Sequence, residues 1–249
     1  MNKIEQFAQQ LKDSQRIVFF GGAGVSTESG IPDFRSAKGL YREDSPYEVP
    51  VEAIISHSFY EAHPKEFFDY YFEHLVFEEA QPNIVHKKLA ELERFRKVTV
   101  VTQNIDGLHS QAGSSDVQEL HGTIFDNHCT QCGAYVPLKE LKKDDNKIPR
   151  CPHCHGIVKP DVTLYEEQLP TQPLMQSIEA IAKADMLIVG GTSLVVYPAA
   201  GLIRYFHGKY FTLINKTPLG QTYGANLIFE DKLSNVFKQL PAFEQLFKK

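Results

Sequence analysis

All four cysteines of this chain stand in two Cys-x-x-Cys pairs, Cys129/Cys132 and Cys151/Cys154, with eighteen residues between Cys132 and Cys151. That is the spacing of a zinc ribbon, in which two tight turns each offer two thiolates to one tetrahedral ion. Four thiolates would fill the coordination shell and leave no open position for water, so the ion would be structural. The alternative is two redox or disulfide pairs. A thioredoxin-type site, however, sets its Cys-x-x-Cys at a helix start after a strand, whereas Gly133, Pro152 and His153 give these pairs the flanks of short hairpins. Zinc is the expectation. His128, His153 and His155 lie close by but are not needed as ligands.

A second group of residues lies upstream. Gly22-Ala23-Gly24-Val25-Ser26 follows an apolar run and is expected to open a helix. Glycines there let the backbone approach a pyrophosphate, and a helix start supplies free N–H groups. The ordinary dinucleotide fingerprint is incomplete, because Thr27 interrupts it and no second contiguous strand ends in an acidic residue. After Gly30 comes Ile31-Pro32-Asp33-Phe34-Arg35, a loop that can fold over a ligand or serve as a plain surface turn. Gln103, Asn104 and Asp106 follow another apolar run, a polar density hard to explain as packing. His121 ends a third run and suits a general base, since imidazole titrates near neutrality. Gly190-Gly191-Thr192-Ser193 is small and rich in donors, and reads as a second phosphate or ribose contact.

These groups need a common scaffold. A continuous apolar run at 16–20 is the mark of a buried parallel strand, and strand-like runs return at 98–102, 117–120, 186–189, 210–214 and 227–229. Helical spacing at 2–14, 83–95, 172–183, 198–206 and 231–239 falls between or beside them. Strands alternating with helices indicate a Rossmann-like, doubly wound α/β sheet of about six strands. Ligands bind such sheets beyond the carboxyl ends of the strands, which is where the polar groups fall. Residues 36–79 and 122–163 break the alternation and read as insertions, a helical module and a zinc-ribbon module that together form a smaller domain. The sheet domain then comprises 1–35, 80–121 and 164–249. The aromatic stripe between Phe67 and Phe77 reads as core first and as ligand lining second.

At 249 residues, 42% apolar and with a net charge of −5, the chain fits a normal soluble core. The acidic balance argues against nucleic-acid binding. No apolar run reaches the length of a membrane span, and the polar N-terminus shows no secretory signal. A cytoplasmic setting follows.

Together, Gly22 to Ser26, Gly30 to Arg35, Thr102-Gln-Asn-Ile-Asp-Gly-Leu-His109, Leu120-His-Gly122, the two Cys-x-x-Cys pairs, Pro160-Asp161-Val162 and Gly191-Thr-Ser193 resemble, in this order, the sirtuin family. The resemblance runs from about residue 16 to 232 and implies a small bacterial NAD-dependent protein-lysine deacylase, a monomer acting on acyl-lysine proteins and holding one structural zinc ion. It implies cofactor contacts at Gly22, Ala23, Gly24, Thr27, Gly191, Thr192 and Ser193, with the pyrophosphate at Ala23, Gly24, Thr192 and Ser193. Phe34 and Arg35 would belong to a cofactor loop. Asn104, Ile105 and Asp106 would line the nicotinamide pocket, Gln103 and His121 would face its ribose, and Asn215 and Lys232 would hold the adenosine end. His121, Asn104 and Asp106 would carry the chemistry, in which the acyl group passes to ADP-ribose and nicotinamide and free lysine are released. Cys129, Cys132, Cys151 and Cys154 would hold the zinc.

The family usually has Phe-Gly-Glu where this chain has Tyr165-Glu166-Glu167. Val162, Tyr165 and Glu166 would meet the peptide substrate, and a carboxylate at 166 would add negative charge at the entrance, favouring basic flanks. The stretch 66–79 contains no Arg or Lys, so neutral acyl groups are expected over succinyl. Rival readings are a protein mono-ADP-ribosyltransferase, a non-catalytic zinc-ribbon module and a dehydrogenase.

Overall fold

A computed structural model describes residues 1–34, 39–40 and 47–248. Arg35 lies outside the described residues.

The strands form where the apolar runs stand. In chain order they are β1 (Arg16–Gly21), β2 (Lys97–Thr102), β3 (Val117–Glu119), β4 (Gly122–Cys129), β5 (Lys142–Lys143), β6 (Pro149–Arg150), β7 (Val158–Val162), β8 (Met186–Gly190), β9 (Tyr210–Ile214) and β10 (Leu227–Phe229). Six of them make one sheet in the order β10-β9-β8-β1-β2-β3, and every pairing in it is parallel. The order reverses at β1 and β8, so the crevice of a doubly wound sheet opens between their carboxyl ends.

The helices are α1 (Lys3–Asp13), α2 (Val51–Ile54), α3 (His57–Ala62), α4 (Pro64–His74), α5 (Ile84–Leu92), α6 (Leu108–Gln111), α7 (Thr171–Lys183), α8 (Leu233–Gln239) and α9 (Phe243–Leu246). Strand alternation sends Ile17 and Phe19 to one face, where they pack with Phe7, Leu89, Val236 and Phe243 of α1, α5, α8 and α9. Val18 and Phe20 go to the other face, with Ile181 of α7 and Leu202. Both faces are covered, as a parallel sheet requires.

Two expected helices differ. Residues 199–205 form a 3₁₀ run rather than an α-helix, with Gly201 inside it and Pro198 at its start. The segment after Gly22 forms only two 3₁₀ turns, Ala23–Val25 and Thr27–Ser29. The second ends at Gly30, whose φ of 87° is left-handed, and Pro32 follows.

The insertions share a core of their own. Phe67, Phe68 and Tyr71 of α4 pack with Ile124, Leu138, Ile148, Val162 and Leu164. All three aromatic side chains are fully buried, so this part of the stripe is packing. The β5–β6 hairpin adds Lys143, whose Nζ lies 3.2 Å from the centre of the Phe72 ring. β4 pairs antiparallel with β7, bringing Gly122 opposite Val162.

Candidate active site

The two glycine turns sit at the carboxyl ends of β1 and β8 and touch. The Gly24 N–H donates to the Gly191 carbonyl at 2.8 Å. A Cβ on Gly24 would lie 2.8 Å from the Gly191 Cα, and one on Gly22 would lie 2.8 Å from the Thr192 Cβ. Side chains there would force the loops apart, so glycine is needed for the approach. Ala23 stands between these glycines, and Thr27 donates its hydroxyl to the Gly24 carbonyl. This is a backbone cradle suited to a pyrophosphate.

Thr192 links the cradle to the neighbouring strand end. Its hydroxyl oxygen accepts from Gln103 Nε2 and from the Leu194 N–H, both at 3.2 Å. With both lone pairs engaged, the hydroxyl proton remains for a ligand oxygen. Ser193 follows in the same turn. Asn215 follows β9 directly, and its N–H donates to the Phe229 carbonyl at 3.0 Å. Lys232 caps the start of α8 and lies 3.8 Å from the Glu28 carboxylate, which also accepts from Ser234.

Beyond β2, Asn104 and Asp106 converge on a residue that motif reading had not assigned a role. The Ser26 hydroxyl donates to Asp106 Oδ2 at 2.6 Å and accepts from Asn104 Nδ2 at 3.0 Å. Ser26 is 1% exposed and Asn104 9%. The other Asp106 oxygen accepts from the Leu108 N–H at 3.0 Å. Burial raises the Asp106 pKa, while the Ser26 bond pulls it back. The signal for Ser26 was its place just after the glycine turn, but its partners lie 78 and 80 residues away.

His121 follows β3. Its Nδ1 lies 2.8 Å from the Gln103 carbonyl oxygen, so the neutral ring donates there and keeps its lone pair on Nε2. Burial lowers its pKa below the ordinary histidine value, against the raising effect of the Gln103 bond. Two residues earlier, burial and the neighbouring Asp106 and Asp126 push the Glu119 carboxyl up to about 7. Ile105 is tied to the insertion by its carbonyl, which accepts from the Ile124 N–H at 3.1 Å. Phe34 packs against the cluster of Val51, Ile54, Ile55 and Tyr70.

The expected peptide-side residues behave differently from one another. Val162 is 6% exposed and packs in the core shared by the insertions. Tyr165 is held by backbone bonds to Ile55 and His57. The Glu166 carboxylate does not stand free at the entrance: it accepts from the Ser58 N–H at 2.9 Å and from the Ser58 hydroxyl at 3.0 Å.

The four cysteine sulfurs lie within 4.8 Å of one another. The Cys129–Cys154 and Cys132–Cys151 sulfurs are 3.4 and 3.6 Å apart, close to the separation of about 3.8 Å that four Zn–S bonds of about 2.3 Å impose in a tetrahedron. Cys129 and Cys151 are buried with Val136 and Val158, while Cys132 and Cys154 are exposed. The set fits zinc.

A parallel sheet reversing at a double glycine turn, with a histidine at its edge and a tetrathiolate insert, defines a dinucleotide-binding α/β protein of unusual build. A family profile described as the Sir2 family matches residues 22–198. An NAD-dependent protein deacetylase of Clostridium acetobutylicum is 49% identical over 239 residues, covering 96% of this chain and 98% of the relative. One of Cutibacterium acnes is 51% identical over 230 residues, covering 92% and 93%. Among solved structures, a Sir2–p53 peptide–NAD+ complex is 32% identical with a TM-score of 0.83, covering 96% of this chain and 97% of that one. A Sir2 structure with a propionylated peptide is 31% identical with a TM-score of 0.85, covering 99% and 100%. This chain belongs to the Sir2 family.

Proposed function

We infer that this protein is an NAD-dependent protein-lysine deacetylase. The observation that carries this reading is the junction of His121 Nδ1 with the Gln103 carbonyl at 2.8 Å, beside the Asn104–Ser26–Asp106 network and the paired glycine turns. When bound, NAD supplies a glycosidic bond to a cationic leaving group, the strong electrophile that a weakly nucleophilic acyl-lysine oxygen needs.

The chain's own residues do the rest. Ala23, Gly24, Thr192 and Ser193 would hold the pyrophosphate, with Gly22, Thr27 and Gly191 as further cofactor contacts, and Asn215 and Lys232 would hold the adenosine end. Asn104, Ile105 and Asp106 would orient the nicotinamide end, and Phe34 and Arg35 would belong to the loop that serves the cofactor there. The Gln103 carbonyl fixes the tautomer of His121, whose Nε2 would act as base on a ribose hydroxyl. Val162 and Tyr165 wall the substrate entrance. Cys129, Cys132, Cys151 and Cys154 would hold a structural zinc ion that shapes the insert and takes no part at the reacting atoms.

The division into a sheet domain (1–35, 80–121, 164–249) and a small domain (36–79, 122–163) belongs to the same proposal. Among the described residues no helix is long and apolar enough to cross a membrane, and the proposed setting is cytoplasmic. The test is incubation of purified protein with NAD and a mixed set of acyl-lysine peptides, read by mass spectrometry. Free lysine peptide with O-acetyl-ADP-ribose supports the reading. ADP-ribosylated protein without deacylation would replace it.

A further inference from the structure

Glu166 has a φ of 75°, a left-handed conformation that a side chain adopts at a cost and that the family's usual glycine takes freely. The residue is exposed, so burial does not hold it there. Its carboxylate is held instead, by both the N–H and the hydroxyl of Ser58. Ser58 lies in the first turn of α3, whose N-cap is Ser56. Its N–H is one of the donors that a helix start leaves without an intrahelical acceptor.

The surroundings extend this contact in both directions. On the helix side, the Ser58 and Ser56 hydroxyls are 3.3 Å apart, and Ser56 donates to the Ala53 carbonyl at 2.7 Å. On the loop side, the adjacent Glu167 accepts from the Leu164 N–H at 2.8 Å and lies 2.9 Å from His57 Nδ1 and 3.3 Å from Lys159 Nζ. Backbone bonds run from His57 N to the Tyr165 carbonyl and from Tyr165 N to the Ile55 carbonyl. The segment fixed in this way begins at Thr163, whose N–H donates to the carbonyl of His121 at 2.9 Å. A continuous line of contacts therefore joins the start of α3 to the backbone of the proposed base.

We propose that Glu166 and Ser58 form an intramolecular clasp that sets the 163–167 segment, the wall of the crevice beside His121, before an acyl-lysine peptide arrives. Glu166 is then a positioning residue and not a peptide contact. The clasp rests on the deacetylase reading for its consequence, but its existence does not depend on it. A wall ordered in advance spares the peptide the cost of ordering it, so the gain appears in peptide affinity. It also leaves the carboxylate committed to α3, and selection for basic flanks at this position is not expected.

The test is a double-mutant cycle on the affinity of an acetyl-lysine peptide, measured by calorimetry, with hydrogen exchange of the 56–62 and 163–167 amides in the same proteins. Loss of an N-terminal helix cap of ordinary strength corresponds to about a fivefold change. Glu166→Gly, which removes both contacts, is expected to weaken peptide binding by about fivefold, and Ser58→Ala, which removes the hydroxyl contact but keeps the N–H, by less; both should speed exchange in both segments. The double variant should be no weaker than Glu166→Gly alone, because without the carboxylate the Ser58 hydroxyl has nothing left to hold. Ser58→Ala should raise KM for the peptide while kcat changes less than about twofold, again the mark of a cap-sized effect on binding alone. Glu166→Gln, which keeps an acceptor oxygen, should retain part of the affinity.

Unchanged affinity and unchanged exchange in both single variants would overturn the clasp. So would a loss confined to Glu166→Gly and to peptides with basic flanks, which would make the carboxylate a direct substrate contact. A wild-type protein that binds acetylated and unmodified peptides alike would sink the deacetylase reading instead. The exchange data still decide the clasp in that case: faster exchange of the α3 amides in Glu166→Gly supports it, and identical exchange overturns it.

Discussion

The imidazole of His121 is anchored through Nδ1 to the main-chain oxygen of Gln103 at 2.8 Å. A carbonyl only accepts, so the neutral ring presents Nε2 as its base, and protonation removes that lone pair. Burial lowers the pKa of this group, which extends the active range downwards. The acid limb of kcat/KM for deacetylation is therefore expected at a midpoint below about pH 6.5, the ordinary histidine value. His121→Ala should lose at least about 100-fold in turnover while the fold survives. Steady-state rates across pH with a circular-dichroism control check both. Wild-type turnover in the variant, or an acid midpoint above the ordinary value, would remove His121 from the role of base.

The Ser26 hydroxyl is shared by Asn104 and Asp106. In Ser26→Ala both partners lose it inside a buried site, at about 1–3 kcal/mol for each polar group left unpaired. Melting temperature should fall, and nicotinamide exchange should fall more than the stability loss alone explains, because both neighbours become free to turn. Asp106→Asn keeps the shape and loses the charge, so it should spare stability and damage exchange. Base exchange with labelled nicotinamide, alongside thermal melts, separates the two. Full exchange in both variants would show that the network only packs.

The strands of the sheet were legible because most are apolar runs between polar ends, and all six, the short and partly polar β3 included, appear within a residue or two of their expected bounds. The cysteines were legible because ligand spacing is local. What escaped was non-local. Nothing near Ser26 announces partners some 80 residues away. Glu166 read as a charge at the entrance, yet its left-handed backbone turns it onto Ser58. The stretch 199–205 had helical spacing, but spacing alone does not distinguish an α-helix from the 3₁₀ run that forms beside Pro198.

Metal removal should be felt at His121 although no cysteine touches it. β4 runs from Gly122 to Cys129 and pairs with β7, so the strand next to the base ends in a metal ligand. Structural zinc contributes on the order of 10 kcal/mol to the fold of its module. Chelation, or Cys151→Ser at a buried position, should release the ion, expose 129–158 to exchange first and cut kcat/KM by at least about tenfold, in keeping with the loss of base positioning. Metal analysis, exchange and rates on one sample check the order. Full activity in zinc-free protein would uncouple the insert from the site.

His86 and His109 form a buried pair with ring centres 4.6 Å apart. Both nitrogens of His109 and the Nε2 of His86 are buried without a hydrogen-bond partner, while His86 Nδ1 accepts from the Asn83 N–H. Burial lowers the His86 pKa to about 4. Burial also lowers that of His109 well below the ordinary histidine value, with the His86 charge acting in the same direction. The unfolded chain binds a proton at each imidazole near pH 6.5, whereas folded His86 resists protonation down to about 4. The unfolded state thus holds more protons in that interval, and stability falls as pH falls. A shift of this size is worth about 3 kcal/mol at His86 alone by pH 4. Urea midpoints measured from pH 7 to 4.5 should drop steeply in the wild type and less in His86→Leu, whatever the variant's stability at pH 7. Parallel curves for the two proteins would mean that acid sensitivity resides elsewhere.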